Sequence, residues 1–207
     1  ADDLAVRELE GLPRETRTAF GDLPERVQIV EGGARFEVAL ESGQKTGWYY
    51  DQRDNRARLR RYVRNAHVLD MFSYAGAWGV AAARAGAASV TCVDSSASAL
   101  AAAAENGARN GVTLETQNGD GAEVMKGLFR AGRRFDVIVL DPPALIPRRK
   151  DREAGRRAYR QLNELAIRLL ADDGLLVSCS CSHHLGEAEL LDIVAGAARR
   201  QQRSVQL

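Results

Sequence analysis

Cysteine is scarce here, with three in 207 residues. That is too few for a disulfide framework, so a reducing compartment, the cytoplasm, is expected. No apolar run approaches the roughly 20 residues of a membrane-crossing helix. The first residues, ADDLAVRELEG, lack a basic n-region and an apolar h-region, so a signal peptide is not expected. Neither an internal repeat nor a low-complexity linker is visible. What remains is the length of one ordinary domain, with hydrophobic residues at 45%, enough for a sizeable core.

Net charge is only +1, but it is segregated. Residues 1–41 hold ten acids against five arginines, net −5. Residues 51–64 hold six arginines against Asp51 and Asp54, and residues 147–160 hold seven bases against Asp151 and Glu153. Two basic stretches on a near-neutral chain fit either a polyanion partner on one face or two solvated helix faces.

Two alternating runs, Val27–Val30 and Phe36–Leu40, flank Glu31-Gly32-Gly33 and predict a β-hairpin. An Arg-rich helix is expected from Asp51 to Arg64, with Asp51 as its N-cap. From residue 66 short apolar strands alternate with helices. The strands are HVLDMF, SVTCVD, VTLETQ, FDVIVLD and GLLVSCS. The helices are expected near 78–85, 97–110, 122–131, 151–170 and 185–200. This rhythm predicts an α/β fold, a parallel sheet wound on both faces.

In open α/β sheets ligands bind beyond the carboxyl ends of the strands. Asp70, Asp94, Asp120 and Asp141 all stand at or near such ends. Any one alone reads equally as a helix cap. The first turn, VLDMFSYAGAWG, has small residues at Ala75, Gly76, Ala77 and Gly79, which let a ligand approach the backbone at a helix N-terminus. It is not GxGxxG, which argues against a dinucleotide. Asp70 suits a ligand with a cationic amino acid part, and Asp94 can accept hydrogen bonds from both ribose hydroxyls. The pattern resembles the class I methyltransferases that use S-adenosylmethionine. The fourth strand ends VLDPPA, where Pro142 and Pro143 fix the chain and present Asp141 rigidly. That form resembles the substrate motif of methyltransferases acting on amino-bearing bases.

The run GLLVSCSCSHH leaves four readings open: a metal site, a redox pair, a packed strand end or a nucleophile. Cys179, Cys181, His183 and His184 have the atoms for zinc but not the loop spacing of zinc knuckles. A redox pair prefers C-x-x-C at a helix start. On an extended strand Cys179 and Cys181 point the same way, with Cys179 deeper. Cys92, inside the second strand, reads as core.

SGQKTGWYYDQRDNR, FSYAGAWG, VDSS, VLDPPA, RRAYRQLN and SCSCSHH occur in that order, and together they resemble the large-subunit rRNA 5-methylcytosine methyltransferase I family. The likeness runs from about Glu10 to Leu207. It implies a Rossmann-like class I methyltransferase sheet over residues 51–207, preceded by a β-hairpin linking region over residues 1–50. The family carries an N-terminal PUA domain, which residues 1–207 are not expected to include. The chain ends at SVQL, where the family continues through the last strands, so the sheet is expected to be truncated at its C-terminal side. The stretch usually written GYKDLN reads Ala158 to Asn163.

By this resemblance the cofactor is S-adenosyl-L-methionine and the partner large-subunit rRNA, with no membrane; a homodimer is compatible with the sequence. Carbon 5 of cytosine is too weak a nucleophile to take a methyl from a sulfonium unaided, so a thiolate must first add to carbon 6. The family nucleophile falls on Cys181, on which cytosine specificity rests, and Cys179 becomes a core residue. Asp141 positions the base and borders the cofactor. The cofactor set is Arg53, Asp70, Phe72, Ser73, Tyr74, Ala75, Gly76, Asp94, Ser95, Asn118, Gly119 and Asp120. The substrate set is Lys45, Pro142, Pro143, Arg148, Lys150 and Arg157, with Tyr49 on a loop that could close over either ligand. The target base must leave its stack, so unpaired or pre-opened RNA is expected. Two alternatives stay open: a guanine or small-molecule target with Cys181 structural, and a non-catalytic RNA-binding module.

Overall fold

A computed structural model describes residues 21–22, 24–40 and 47–206. The expectation for Lys45 lies outside the described residues. The two alternating runs pair antiparallel as β1 (Arg26–Glu31) and β2 (Ala34–Ala39), with Glu31 opposite Ala34. Gly32 and Gly33 have left-handed φ of 56° and 76°, as a two-residue hairpin turn of the primed type requires.

Helix α1 (Arg53–Leu59) follows. Then β3 (His67–Met71), β4 (Ser89–Asp94), β5 (Glu115–Asn118), β6 (Phe135–Leu140) and β7 (Leu170–Ser178) alternate with α2 (Ala77–Arg84), α3 (Ala97–Arg109), α4 (Gly121–Arg130) and α5 (Arg152–Leu169). Helix α6 (Glu187–Arg200) comes last. The five strands pair in parallel in the order β5-β4-β3-β6-β7. The winding reverses at β3, so this is a doubly wound, Rossmann-like sheet with its switch point between β3 and β6.

Period-two alternation sorts the core into two layers. Val68, Val137 and Val139 pack with β2, α2 and α3 around Phe36, Val38, Trp48 and Val80. Leu69, Met71, Ile138 and Leu140 pack with α4 and α5 around Met125, Leu128, Leu165 and Leu169. Asp70, between Leu69 and Met71, therefore faces the α2 layer. Gly79 of α2 meets it there, because a Cβ at Gly79 would come within 2.6 Å of the Cys92 sulfur and 3.3 Å of Asp70 Oδ2.

Three elements depart from the expected bounds. The Arg-rich helix is shorter than 51–64: a 3-10 turn over Tyr50–Gln52 precedes α1, and no side chain caps it at Asp51 or Gln52. After Leu59 the chain tightens through i→i+3 bonds from Arg61 to Arg58 and Tyr62 to Leu59, and this turns buried Val63 inward ahead of β3. The third strand begins at Glu115, not Val112, because Val112 N–H returns to the Gly107 carbonyl to close α3. The fifth begins at Leu170 with a bulge: Phe135 pairs with Leu170, but Val137 pairs with Leu175. It also stops at Ser178, so both cysteines of the SCSCS run lie beyond it.

One buried ion pair ties the hairpin to α1. Arg56 is 3% exposed and bonds Glu31 through Nε at 2.6 Å and NH2 at 2.8 Å. Its guanidinium lies 5.4 Å from the Trp48 ring centroid and 5.9 Å from that of Trp78, so the charge is sandwiched between two aromatic faces. Trp48 Nε1 also donates to Glu31 at 3.1 Å. Burial pushes the Glu31 carboxyl up, but the Arg56 and Trp48 hydrogen bonds outweigh it and leave it below the usual range. Glu31→Ala would strand the arginine charge, and a loss of about 3 kcal/mol of unfolding free energy is expected in urea titration. Glu31→Ala with Arg56→Met should recover part of that loss. A double variant no better than the single one would show that the pair is not what fails.

Candidate active site

The loop after β3 is held in sparsely populated backbone. Phe72, Tyr74 and Gly76 all have left-handed φ, at 61°, 47° and 78°. Only glycine takes this freely, so strain is concentrated where the first strand hands over to α2. Ser73 N–H bonds the Val93 carbonyl and Gly76 N–H bonds the Ser73 carbonyl, which fixes the loop to β4. A side chain at Gly76 would also meet Ala103 at 2.9 Å. Ser73 and Ala75 are buried. Phe72 packs on the start of α4: a Cβ at Gly121 would come within 2.9 Å of its ring. Asp70 is fully buried, and its Oδ2 accepts from Gly79 N–H at 2.9 Å. Its Oδ1 has no hydrogen-bond partner among the described residues. Burial, with the nearby Asp141 and Asp94 charges adding, pushes its pKa up to about 8 against the Gly79 hydrogen bond.

Asp94 stands beside this loop. Its Oδ2 accepts from Tyr74 N–H and its Oδ1 from Ser96 N–H, both at 2.9 Å. Each oxygen keeps a lone pair for a hydroxyl donor. Asn118 Nδ2 and Gly119 N–H both bond the Asp94 carbonyl, at 3.0 and 3.1 Å, so β5's end is drawn to the same place. Ser95 is exposed, and its neighbour Ser96 is the N-cap of α3. Asp120 caps α4 by accepting from Ala122 and Glu123 N–H. A cavity of about 160 Å³ opens beside Tyr74, Ala75, Asp94 and Ser96, with Val38 and Ala39 of β2 on its other side.

Asp141, Tyr49, Cys179 and Cys181 form the second half. Asp141 Oδ2 accepts from Trp78 Nε1 at 3.1 Å. Burial raises the Asp141 carboxyl, Asp51 adds to the rise, and the Trp78 bond and Arg56 charge oppose it. Cys181 is exposed, and its Sγ lies 3.8 Å from the Pro142 carbonyl. Cys179 packs against the central layer, and burial pushes its thiol up to about 12, with Asp141 adding. A thiol raised so far is poorly suited to form a thiolate. The Tyr49 and Tyr74 rings meet edge-on at 5.9 Å. Burial raises the Tyr49 hydroxyl, and the Tyr74, Cys181 and Asp141 charges raise it further, which places all four groups in one neighbourhood. Arg56 NH2 holds the Tyr49 carbonyl at 2.9 Å.

The remaining expected residues are scattered more widely. Pro142 is buried and Pro143 exposed. Arg148, Lys150 and Arg157 are exposed beyond this turn, and Arg148 pairs with Asp151 at 2.8 Å. Arg53 pairs with Asp54 at 3.3 Å. It lines a different cavity, of about 190 Å³, with Phe36, Arg60 and Arg84 between the hairpin and α2. No hydrogen bond or ion pair takes it to the strand-end acids among the described residues. No group of three or more His, Cys, Asp or Glu among the described residues is placed to hold a metal ion. Sequence reasoning missed Trp78, Glu31, Trp48 and Arg56. One signal was legible: a Trp in the first turn of a helix carries a donor that seeks a buried acceptor.

Residues 16–204 match the model of the S-adenosylmethionine-dependent methyltransferase family. The chain belongs to that family. Among curated relatives it is 40% identical over 208 residues to ribosomal RNA large subunit methyltransferase I of Shewanella amazonensis, and 38% over 209 residues to its namesake in Aeromonas salmonicida. Each match covers 99% of this chain, but the chain spans about half the relatives' length, 52% and 53%. Among solved structures, SMU.776 with SAH bound superposes at a TM-score of 0.76 and 25% identity, covering 86% of this chain and 48% of that one. The S-adenosylmethionine-dependent methyltransferase of Agrobacterium tumefaciens shares the fold at a TM-score of 0.74 and 22% identity, covering 87% of this chain and 60% of its own.

The raised Asp70 has a consequence for stability. Between the ordinary carboxyl range and about pH 8 the folded chain keeps a proton that the unfolded chain has lost. Folding stability from this group is therefore present at low pH and declines as pH rises through that window. Asp70→Asn removes the titration. From pH 5 to pH 8 the ligand-free wild type should lose stability relative to the variant, by at most about 1.4 kcal/mol per pH unit. Parallel pH profiles for the two proteins would contradict it.

Proposed function

We propose that the chain carries the catalytic part of an enzyme that methylates carbon 5 of a cytosine in large-subunit rRNA through a covalent Cys181 adduct. The observation that carries this reading is the exposed Cys181 sulfur 3.8 Å from the carbonyl of Pro142, directly after Asp141. The name shared by its curated relatives supports the RNA class.

The residues present fit S-adenosylmethionine. Among the described residues Asp70 Oδ1 lacks a donor, and an ammonium is the donor a buried carboxyl oxygen would take. Such a cation would also reverse the rise in the Asp70 pKa. Asp94 keeps acceptor capacity for ribose hydroxyls, and Asn118, Gly119 and Asp120 border the same edge for the adenine. Phe72, Ser73, Tyr74, Ala75 and Gly76 form the loop beneath. When bound, the cofactor supplies an electrophilic methyl group.

On the substrate side, Cys181 gives up its proton to solvent water and its sulfur adds to carbon 6 of the ring, which makes carbon 5 nucleophilic. Asp141 holds the amino edge of the base, and its raised pKa lets it share a proton with ring nitrogen 3 as the adduct forms. Once carbon 5 has bonded the methyl group, its proton passes to solvent water and the sulfur leaves as the thiolate, which restores the aromatic ring. Arg148, Lys150 and Arg157 lie beyond the Asp141 turn, on the path of the RNA backbone. Residues 1–50 act as a linking region and 51–207 as the methyltransferase domain. The expected compartment is the cytoplasm.

Nucleoside mass spectrometry tests the reading. Large-subunit rRNA from a strain lacking the enzyme is incubated with S-adenosylmethionine and the full-length protein, wild type or Cys181→Ala. New 5-methylcytidine with the wild type, and none above background with Cys181→Ala, is the expected result. Methylated guanosine, or equal product from both proteins, would refute the mechanism.

A further inference from the structure

We propose that Tyr159 is a positioning residue for Cys181, holding the cysteine's loop against the Asp141–Pro142 turn through the two serines on either side of it. The inference rests on the reading of Cys181 as nucleophile.

After β7 the chain keeps alternating. Cys181 is exposed, whereas Ser182 is only 4% exposed and points the other way. Ser180 and Ser182 both reach the hydroxyl of Tyr159, each at 2.9 Å, and Tyr159 has no exposed surface at all. The donors form one consistent chain. Ser180 O–H donates to the phenol oxygen, the phenol donates to Ser182 Oγ, and Ser182 N–H donates to Ser180 Oγ at 3.2 Å. Ser182 Oγ also accepts from Ile146 N–H at 3.0 Å. Ile146 lies in the segment that starts at Asp141, so one buried phenol joins the nucleophile's loop to the base-binding loop.

The sequence makes room for this. Gly155 sits one helical turn before Tyr159, and a Cβ there would overlap Ile146 and the Leu145 carbonyl. Glycine lets α5 come close enough for the hydroxyl to reach the serines. The ring itself packs with Ile146, Leu185 and Ile193. A phenylalanine would fill that space equally well. What only tyrosine supplies is the hydroxyl, whose burial is tolerated because it is doubly bonded.

The test is Tyr159→Phe in the full-length protein, read three ways. The rate constant of methyl transfer to large-subunit rRNA should fall by about tenfold or more, because the nucleophile is misplaced rather than removed. The dissociation constant for S-adenosylmethionine should stay within about twofold, because the hydroxyl is not among the cofactor residues. Alkylation of Cys181 by iodoacetamide, followed by peptide mass spectrometry, should speed up several-fold as the loop is released. Ser180→Ala, which leaves the core untouched, should move the same three readings the same way and decides the matter if Tyr159→Phe does not fold. Wild-type turnover and wild-type alkylation together would overturn the proposal. Faster alkylation with unchanged turnover would also overturn the positioning role; if Cys181→Ala were then active as well, it is the nucleophile reading that has failed.

Discussion

The register between β6 and β7 is the constraint on which the site depends. Leu140 pairs with Ser178, and the ladder runs one step further when Cys179 N–H bonds the Leu140 carbonyl at 2.9 Å. Both strands end there, side by side, so Asp141-Pro142 and Cys179–Cys181 must leave the sheet together. A one-residue slip would turn Cys181 toward α5 and the serines outward. The bulge near Leu170 lets β7 settle into this register after the long α5 helix, and Arg203 holds it by donating to the carbonyls of Ile167, Leu170 and Ala171.

Charge burial then couples parts of the chain that are far apart in sequence. Asp70 and Asp141 both carry carboxyls raised by burial; the Asp141 and Asp94 charges raise Asp70 further, and Asp51 raises Asp141. Arg56 is the cation that opposes the rise at both. It stays there because Glu31 of the hairpin and the faces of Trp48 and Trp78 replace its water. Trp78 in turn donates to Asp141. The hairpin is therefore more than an attachment. Its glutamate fixes the charge that tunes the acids at the strand ends, and Arg56 also holds the backbone at Tyr49.

Much of this was legible because the signals are local. Alternation placed β1 and β2, and short apolar runs placed β3, β4 and β6, whose side chains see one environment per face. The small residues of the first turn and the acids at strand ends followed from where parallel sheets bind ligands. The errors fell where a tertiary contact overrides a local pattern. Leu59 ends α1 because Val63 must reach the core, and Leu114 stays outside β5 because its neighbour Val112 is spent on closing α3. The Arg56 sandwich and the Tyr159 hydroxyl were hidden for the same reason: one arginine among six, and one tyrosine in a charged helix, show nothing in sequence of the distant groups they meet. Nothing in the run SCSCS marks Ser180 and Ser182 as partners of a distant tyrosine, yet their alternation with Cys181 sends the sulfur outward.

The central claim is that the Cys181 sulfur bonds to a cytosine ring. An RNA in which the target cytosine carries fluorine at carbon 5 cannot lose the group that release requires, so the adduct should accumulate in the presence of S-adenosylmethionine. The measurement is the intact mass of the protein–RNA complex, with the attachment site mapped by peptide sequencing. A one-to-one covalent complex joined at Cys181 is the predicted result. No complex, or one joined at Cys179 or elsewhere, would contradict the account.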